Sequence, residues 1–367
     1  MITETKTKTS AFIPREGGVA EIHVMVTVAD ASLTYEKQLD AVLQAYAAAS
    51  EGRTVHFRRF FLSDASNQAP QLLQALRALP AVPTSIVHQP PLDGTRIALW
   101  MYCTSPMEKD GDGFVHQGYA HRWAGSLVHP GAGPYEQMAG IFADYGETLS
   151  HGGLSVADNT IRTWIFARDV DVNYPGVVVG RREYFDRIGL TSRTHYIAST
   201  GIEGRHPDPK YLVEMDAYSV GGLAPEQIRY LYAKDRLSPT FDYGVTFERG
   251  TAVTYGDRRH VFISGTASID AEGKVMYPGD VPAQTRRMLG NVSALLSEAG
   301  AAFPDIVMAV VYLRDAADYP LVRPVVEEAC PGLNAVYVLA PVCRPAWLVE
   351  MECLAIVPCH APEFRCF

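Results

Sequence analysis

One short segment of the sequence occurs twice, and in both places a carboxylate stands among apolar residues. LVEMDAYSV at residues 212–220 returns as LVEMECLAIV at residues 348–357. Before each copy the chain has the same order of segments: an amphipathic helix, a buried strand that ends in a polar turn, and a second helix. Such a repeat indicates repeated structural units, and this restricts the fold more than any single motif does.

A fainter copy of the same segment order lies upstream, so the sequence predicts three units. The units cover residues 19–104, 115–220 and 244–358. The segments between them are rich in Gly, Pro and Asp, which is typical of linkers. Counting from the polar turn at Asp64 places Leu99 where the other units have Glu214 and Glu350. We therefore expect the first unit to have kept the strand and lost the carboxylate.

Composition favours a globular protein that acts on a small molecule. Of the 367 residues 47% are hydrophobic and 20% are charged, a balance that supports a large core. The net charge of −9 comes without clustered Lys and Arg, which argues against nucleic-acid binding. The sequence has no signal-like start and no apolar stretch of membrane-spanning length. A cytoplasmic protein with no membrane contact is the expectation.

The third unit resembles a known family through several motifs in order. These are an S-G pair after the second strand, G-D with a Gln four residues after the Asp, N-x-x-x-L-L-x-x-A-G, Y-L-R-D, and the terminal V-E-x-E. This unit looks like the reactive-intermediate deaminase (Rid, or YjgF) superfamily. The resemblance implies an α+β unit that assembles as a chorismate-mutase-like trimeric barrel with ligand sites between subunits. Three units in one chain would form a pseudo-trimeric barrel with helices outside.

Within that superfamily the whole chain is most similar to the chorismatases. The similarity is carried by IRTW at 161–164, VGR at 179–181, STGI at 199–202, the ISGTASI strand with its GDV, and RPxxLVE at 344–350. It implies an enzyme that hydrolyses chorismate or rearranges it to hydroxybenzoate. Rid deaminases bind the substrate carboxylate with an arginine whose position falls near Tyr337 here and near Ala198 in the middle unit. Neither residue is basic, which counts against imine hydrolysis.

The repeated strand supplies the candidate catalytic groups. Residues two apart in a strand face the same side, so Glu350 and Glu352 project together, as do Glu214 and Asp216. Burial favours the neutral form of a carboxyl group and makes it a general acid near pH 7. An enol ether such as chorismate needs this acid on its methylene carbon. The alternative is a structural carboxylate that caps backbone or pairs with an arginine.

Arginine is the natural anchor for a substrate with two carboxylates, because its planar fork donates two parallel hydrogen bonds. Arg205 and Arg344 lie nine and six residues before the two repeated glutamates. Arg181 and Arg249 are further candidates, and Tyr337 offers a hydroxyl in place of the missing deaminase arginine. Each arginine has the alternative of a solvated or structural role.

Three functions stay open. The first is a chorismatase-like enzyme that uses Glu350 as proton donor, with Glu214 as the second acid. The second is a Rid-type enamine or imine hydrolase, and the third is a non-catalytic metabolite-binding protein. The sequence has no phosphate loop, no dinucleotide motif and no zinc-ligand spacing, so we expect neither cofactor nor metal. The partner is a small carboxylate, and the chain is a monomeric pseudo-trimer or a higher homo-oligomer of it.

Overall fold

The computed structural model describes residues 4–15 and 17–367, apart from the side chains of Asp242 and Tyr243. The described chain is α+β, with three mixed sheets and seven α-helices. None of these helices combines the length and the apolar character that a membrane span requires.

The first sheet has five strands in the spatial order β1-β2-β5-β3-β4. Its strands are β1 (Thr5–Phe12), β2 (Glu21–Val28), β3 (Thr54–Leu62), β4 (Thr84–His88) and β5 (Ile97–Thr104). Helices α1 (Tyr35–Ser50) and α2 (Ala65–Leu76) bury apolar side chains against one face of this sheet. Strands β3 and β4 are parallel, and α2 is the crossover that a parallel pair requires.

The second and third sheets repeat this arrangement. The second has the order β6-β7-β10-β8-β9, and the third has the order β11-β12-β13-β16-β14-β15. The second sheet and its helices are β6 (Gly113–His116), β7 (Tyr119–Leu127), α3 (Pro134–His151), α4 (Val156–Asn159), β8 (Thr160–Ala167), α5 (Val170–Arg187), β9 (Ala198–Glu203) and β10 (Val213–Gly221). The third are β11 (Ile228–Leu231), β12 (Gly250–Thr254), β13 (Arg258–Ala267), α6 (Val281–Glu298), β14 (Ile306–Leu313), α7 (Tyr319–Ala329), β15 (Ala335–Leu339) and β16 (Val349–Pro358).

Strand register corrects one expectation about the first unit. Equivalent positions are fixed by three facing pairs: Leu62 with Ile97, Ala167 with Val213, and Leu313 with Val349. Ile97, Val213 and Val349 are therefore equivalent. The residues that follow them are Ala98, Glu214 and Glu350, so Ala98 and not Leu99 occupies the position of the carboxylate. The count failed because one residue fewer separates Asp64 from this position than separates the equivalent Asp315 from its glutamate.

Each sheet is joined to the next through the backbone of its edge strand. In β4, β9 and β15, the last residue of the strand donates its backbone N–H to a carbonyl oxygen of the next sheet. That carbonyl lies in a segment that connects two strands. The three bonds are His88 N to Arg205 O (2.9 Å), Glu203 N to Pro341 O (3.1 Å) and Leu339 N to Pro90 O (2.8 Å). The last of these returns from the third sheet to the first, so every sheet contacts both of the others.

Buried ion pairs join the sheets in the same cyclic order. Arg59 of the first sheet pairs with Asp216 of the second, Arg162 of the second with Glu352 of the third, and Arg258 of the third with Glu21 of the first. All three N···O distances are 2.7 Å, and the six side chains are 0–2% exposed. A buried charge without its partner is costly, so these pairs favour one arrangement of the sheets.

The ion pair between Glu21 and Arg258 offers a test of how much these contacts between sheets stabilise the protein. Glu21 also accepts hydrogen bonds from Tyr102 (2.9 Å) and contacts His260 (2.7 Å). Burial alone would raise the pKa of Glu21, but His260 and Arg258 hold it far below its usual range. We expect Glu21→Gln to lower the free energy of unfolding by about 3–5 kcal/mol, because it leaves the buried guanidinium of Arg258 facing a neutral amide. Denaturant unfolding at fixed pH measures this.

The matched control is Glu327→Gln, which removes the carboxylate of an exposed pair with Arg323 on one helix. Exposed pairs contribute at most about 1 kcal/mol, so this variant should unfold close to wild type. Equal losses for the two variants would contradict the structural role given to Glu21.

Candidate active site

A cavity of about 440 Å³ lies between the second and third sheets. One wall comes from α5 and the edge strand β9, and the other from β13, β16 and the segment before β16. Its apolar surface includes Val170, Tyr174, Val178, Val179, Val245, Phe247, Ala267, Ile269 and Trp347. The polar side chains that reach it include Glu350, Arg249, Arg344 and Asp171. A mostly apolar cleft of this size with a few converging polar groups is typical of a small-molecule site.

Glu350 lies at this cavity with its side chain almost wholly buried. Burial raises the pKa of Glu350 to about 8, and the charge of the neighbouring Glu352 adds to the rise. Arg249 and Arg162 act in the opposite direction but do not offset it. The carboxyl group is therefore mostly protonated at pH 7 and can donate a proton into the cavity.

Gly265 makes room for Glu350. A Cβ atom at this position of β13 would overlap the Oε1 atom of Glu350 and press on Thr200. Glycine at this position therefore leaves the space that the carboxyl group occupies beside the strand, and both residues line the cavity.

Glu352, two residues along the same strand, has a different environment. Its carboxylate accepts hydrogen bonds from Arg162 Nη2 (2.7 Å) and Trp164 Nε1 (2.8 Å), and also from the Thr200 hydroxyl. The Thr200 hydroxyl accepts a bond from the Gly265 N–H at 2.9 Å. Glu352 is thus a fixed, ion-paired anion, and its charge favours the neutral form of Glu350.

Three of the predicted arginines lie at or near the cavity. Arg249 and Arg344 line it, with Arg249 Nη2 donating to Ser238 O (2.9 Å) and the Arg344 guanidinium 5.3 Å from the Trp347 ring. Arg181 is buried behind the α5 wall and donates from Nε to Thr246 Oγ1 (3.1 Å). Within the described residues its Nη2 is buried without a hydrogen-bond partner.

The other predicted site residues lie elsewhere. Glu214 occupies the equivalent position between the first and second sheets, where the Ser126 hydroxyl donates to it and burial raises its pKa far above the usual range. Arg205 is exposed and pairs with Asp169 (3.0 Å) and Glu203 (3.2 Å). Tyr337 lies on β15 between the third and first sheets, where its carbonyl accepts from the Leu92 N–H (2.9 Å).

Sequence reasoning did not identify Tyr174, which comes from α5 and lines the cavity opposite Glu350. A Cβ atom on Gly201 would come within 2.6 Å of the Tyr174 ring, so the glycine of the STGI segment makes room for it. That glycine was the available signal, but its partner lies on another element. Across the described ranges, no cluster of three His, Cys, Asp or Glu residues could hold a metal ion.

Comparisons with known proteins agree on the family. A family model described as endoribonuclease L-PSP matches residues 250–357. A RutC family protein of Pyrococcus abyssi is 35% identical over 97 residues, which is 26% of this chain and 76% of that protein. A 3-hydroxybenzoate synthase of Streptomyces hygroscopicus is 29% identical over 274 residues, which is 67% of this chain and 76% of that protein.

The chain belongs to the RutC, or Rid/YjgF, superfamily, as the motifs of its third unit indicated. Within that superfamily its fold is similar to that of a chorismatase over almost the whole chain. The crystal structure of a chorismatase matches with a TM-score of 0.64 and 16% identity, covering 97% of this chain and 99% of that one.

The raised pKa of Glu350 predicts a specific dependence of stability on pH. Between the ordinary glutamate pKa of 4.5 and the raised pKa of about 8, the folded protein keeps a proton on Glu350 that the unfolded chain has lost. Stability therefore falls as pH rises through this window, and Glu350→Gln removes that loss. As pH rises through this window, the free energy of unfolding of the variant should increase relative to that of the wild type by up to about 1.4 kcal/mol per pH unit. Denaturant unfolding from pH 4.5 to 8.5 measures the difference.

Glu363→Gln is the control, because Glu363 is exposed and the change is chemically the same. Its difference from wild type should be constant over the same pH range. A constant difference for Glu350→Gln as well would show that Glu350 titrates normally in the folded protein.

Proposed function

We propose that this protein is a chorismatase-like enzyme that acts on chorismate or a related small cyclic carboxylate. The observation that carries the proposal is a neutral, buried Glu350 at a cavity that Arg249 and Arg344 also line. An enol ether needs a general acid, and a dicarboxylate needs cations. The similarity to a chorismatase fold and to a 3-hydroxybenzoate synthase sequence supports the same substrate class.

The proposed reaction begins with proton transfer from the Glu350 carboxyl group to the methylene carbon of the enolpyruvyl ether. The ether oxygen then stabilises the adjacent carbon as an oxocarbenium ion. Water adds to that carbon and returns a proton to the Glu350 carboxylate, which gives a hemiketal. The bond between the hemiketal carbon and the ether oxygen then breaks, and the proton of the hemiketal hydroxyl passes to that oxygen. Pyruvate and a dihydroxycyclohexadiene carboxylate are released. Loss of water from that released diene would make the ring aromatic and give hydroxybenzoate.

The arginines at the cavity are the groups that bind the substrate in this proposal. Arg344 and Arg249 are proposed to bind the two carboxylates, and Arg181 supports the same wall from behind. Arginine at a site of this kind fixes the orientation of a planar carboxylate. The side chains of Trp347 and Phe247 line the cavity and limit the access of water to Glu350. This keeps the Glu350 carboxyl group protonated until substrate arrives.

A Rid-type deaminase mechanism has less support. On the parallel edge strands, Gly201 faces Ile165 as Tyr337 faces Val311. Gly201, and not Ala198 as counting along the sequence suggested, is therefore equivalent to Tyr337 in the cleft that contains Glu350. Glycine cannot supply the carboxylate-binding cation of that mechanism. A non-catalytic binding protein is the remaining alternative, and turnover separates it from an enzyme.

We also propose that the three units close into one pseudo-threefold barrel with the helices outside. The predicted units at residues 19–104, 115–220 and 244–358 each contribute most of one sheet to it, and the edge strands β1 and β11 lie outside the predicted bounds. The cyclic set of edge-strand bonds and the cyclic set of buried ion pairs support this closure. A single chain is then sufficient for the whole assembly.

Small-angle X-ray scattering tests the closed arrangement. A compact monomer of 367 residues should have a radius of gyration of about 21 Å. Three separate units on extended linkers would give a clearly larger radius and an elongated distance distribution. That second result, at the mass of one chain, would contradict the closed barrel.

The catalytic role of Glu350 predicts that Glu350→Gln, a nearly isosteric change, keeps the fold and loses turnover. Removal of a general acid typically lowers kcat by about 10²–10⁴-fold. The measurement is pyruvate release from chorismate, followed with a lactate dehydrogenase coupled assay, together with circular dichroism. In the wild type kcat should fall above pH of about 8, because Glu350 then loses the proton that it donates.

Glu214→Gln is the matched control, since it is the same substitution at the equivalent position of another cleft. It should leave kcat within a few-fold of wild type. Full activity of folded Glu350→Gln would remove Glu350 as the acid, and binding of chorismate without turnover by the wild type would favour the binding-protein alternative.

A further inference from the structure

Two of the clefts between sheets present a carboxyl group at the same strand position, yet they differ in a pair of residues opposite it. In both sheets, the strand next to the one that bears the carboxyl group has an irregularity in its register. It lies between Ala124 and Leu127 in β7, and between Ile263 and Thr266 in β13. The two residues between are Gly125-Ser126 in β7 and Ser264-Gly265 in β13. The same two amino acids thus occur in inverted order.

In the cleft that contains Glu350, the serine side chain points away from the acid. Ser264 Oγ accepts a hydrogen bond from Ser199 N of the adjoining edge strand (2.9 Å) and donates to Glu248 O (2.5 Å). Gly265 then stands next to Glu350, where any side chain would overlap its carboxyl group. The serine joins the two sheets, and the glycine leaves the acid accessible from the cavity.

In the other cleft the serine takes the place of the glycine. Ser126 Oγ accepts a hydrogen bond from Ile86 N of the edge strand β4 (3.0 Å) and donates to Glu214 Oε1. Gly125 packs so closely on this strand that a Cβ atom there would lie 2.6 Å from Thr84 O. Within the described chain the second oxygen of Glu214 is buried without a hydrogen-bond partner.

We infer that the order of serine and glycine in this strand decides which acid-bearing cleft is open. Gly265 keeps Glu350 accessible to a ligand, whereas Ser126 closes an otherwise equivalent cleft by bonding to Glu214 and to the neighbouring sheet. The third cleft has Ala98 at the acid position, so it has no carboxyl group to expose. The chain therefore has one working site among three related clefts.

Only the identity of the ligand, a small carboxylate, rests on the proposed function, and the accessibility of the two acids can be tested without it. N,N′-diisopropylcarbodiimide is a small apolar reagent that reacts with protonated carboxyl groups and leaves a stable N-acylurea. Labelling at pH 6.5 followed by peptide mass spectrometry reports each glutamate separately. In wild-type protein we expect Glu350 to react at least tenfold faster than Glu214.

Exchanging the two residue types should exchange the result. Gly265→Ser is expected to slow labelling of Glu350 at least tenfold, because the new side chain occupies the space at its carboxyl group. Ser126→Gly is expected to speed labelling of Glu214 at least tenfold. Ser126→Ala removes the hydroxyl and keeps the Cβ atom, so it is the second variant if Ser126→Gly unfolds. Circular dichroism and thermal unfolding establish which variants are folded.

Comparable labelling of Glu214 and Glu350 in the wild type would overturn the inference. So would a folded Ser126→Gly or Ser126→Ala protein in which Glu214 stays unreactive, or a folded Gly265→Ser protein in which Glu350 reacts as before. A wild type that labels as expected but releases no pyruvate from chorismate would count against the proposed function and leave the inference intact.

Discussion

The structure depends on carboxylates that are buried between sheets and neutralised by arginines from the neighbouring sheet. Asp216, Glu352 and Glu21 each meet one arginine at 2.7 Å, and each pair joins two different sheets. Removing one partner from such a pair leaves a charge that the protein interior cannot solvate. The pairs therefore favour a single relative placement of the three sheets over alternatives of similar hydrophobic content.

The same constraint explains the properties of the candidate acid. Strand β16 places Glu350 and Glu352 on one side, and the arginine goes to Glu352. Burial raises the pKa of Glu350, and the charge of Glu352 raises it further, so the proton stays on Glu350 at neutral pH. This is how proteins hold a general acid ready near neutral pH, by giving neighbouring carboxyl groups unlike environments. The cavity beside Glu350 is then a place where its proton can be used.

The repeat made much of this predictable, since it led to three sheet-forming units and to carboxylates at one strand position. The position in the first unit was misplaced by one residue, to Leu99 rather than Ala98, because counting assumes that equivalent turns have equal lengths. Arg205 and Arg344 look equivalent in sequence, but only Arg344 reaches the cavity. The available signal for Tyr174 was Gly201, but the sequence does not show that these two residues, which lie on different elements, come together.

The most direct measurement is a crystal structure of the Glu350→Gln protein grown with chorismate, since that variant should retain unreacted substrate. We expect one chorismate per chain, between the second and third sheets, with its carboxylates at Arg344 and Arg249 and its methylene carbon within about 3.5 Å of the Gln side chain. Chorismate bound in another cleft, or with the methylene carbon turned away from that side chain, would contradict it.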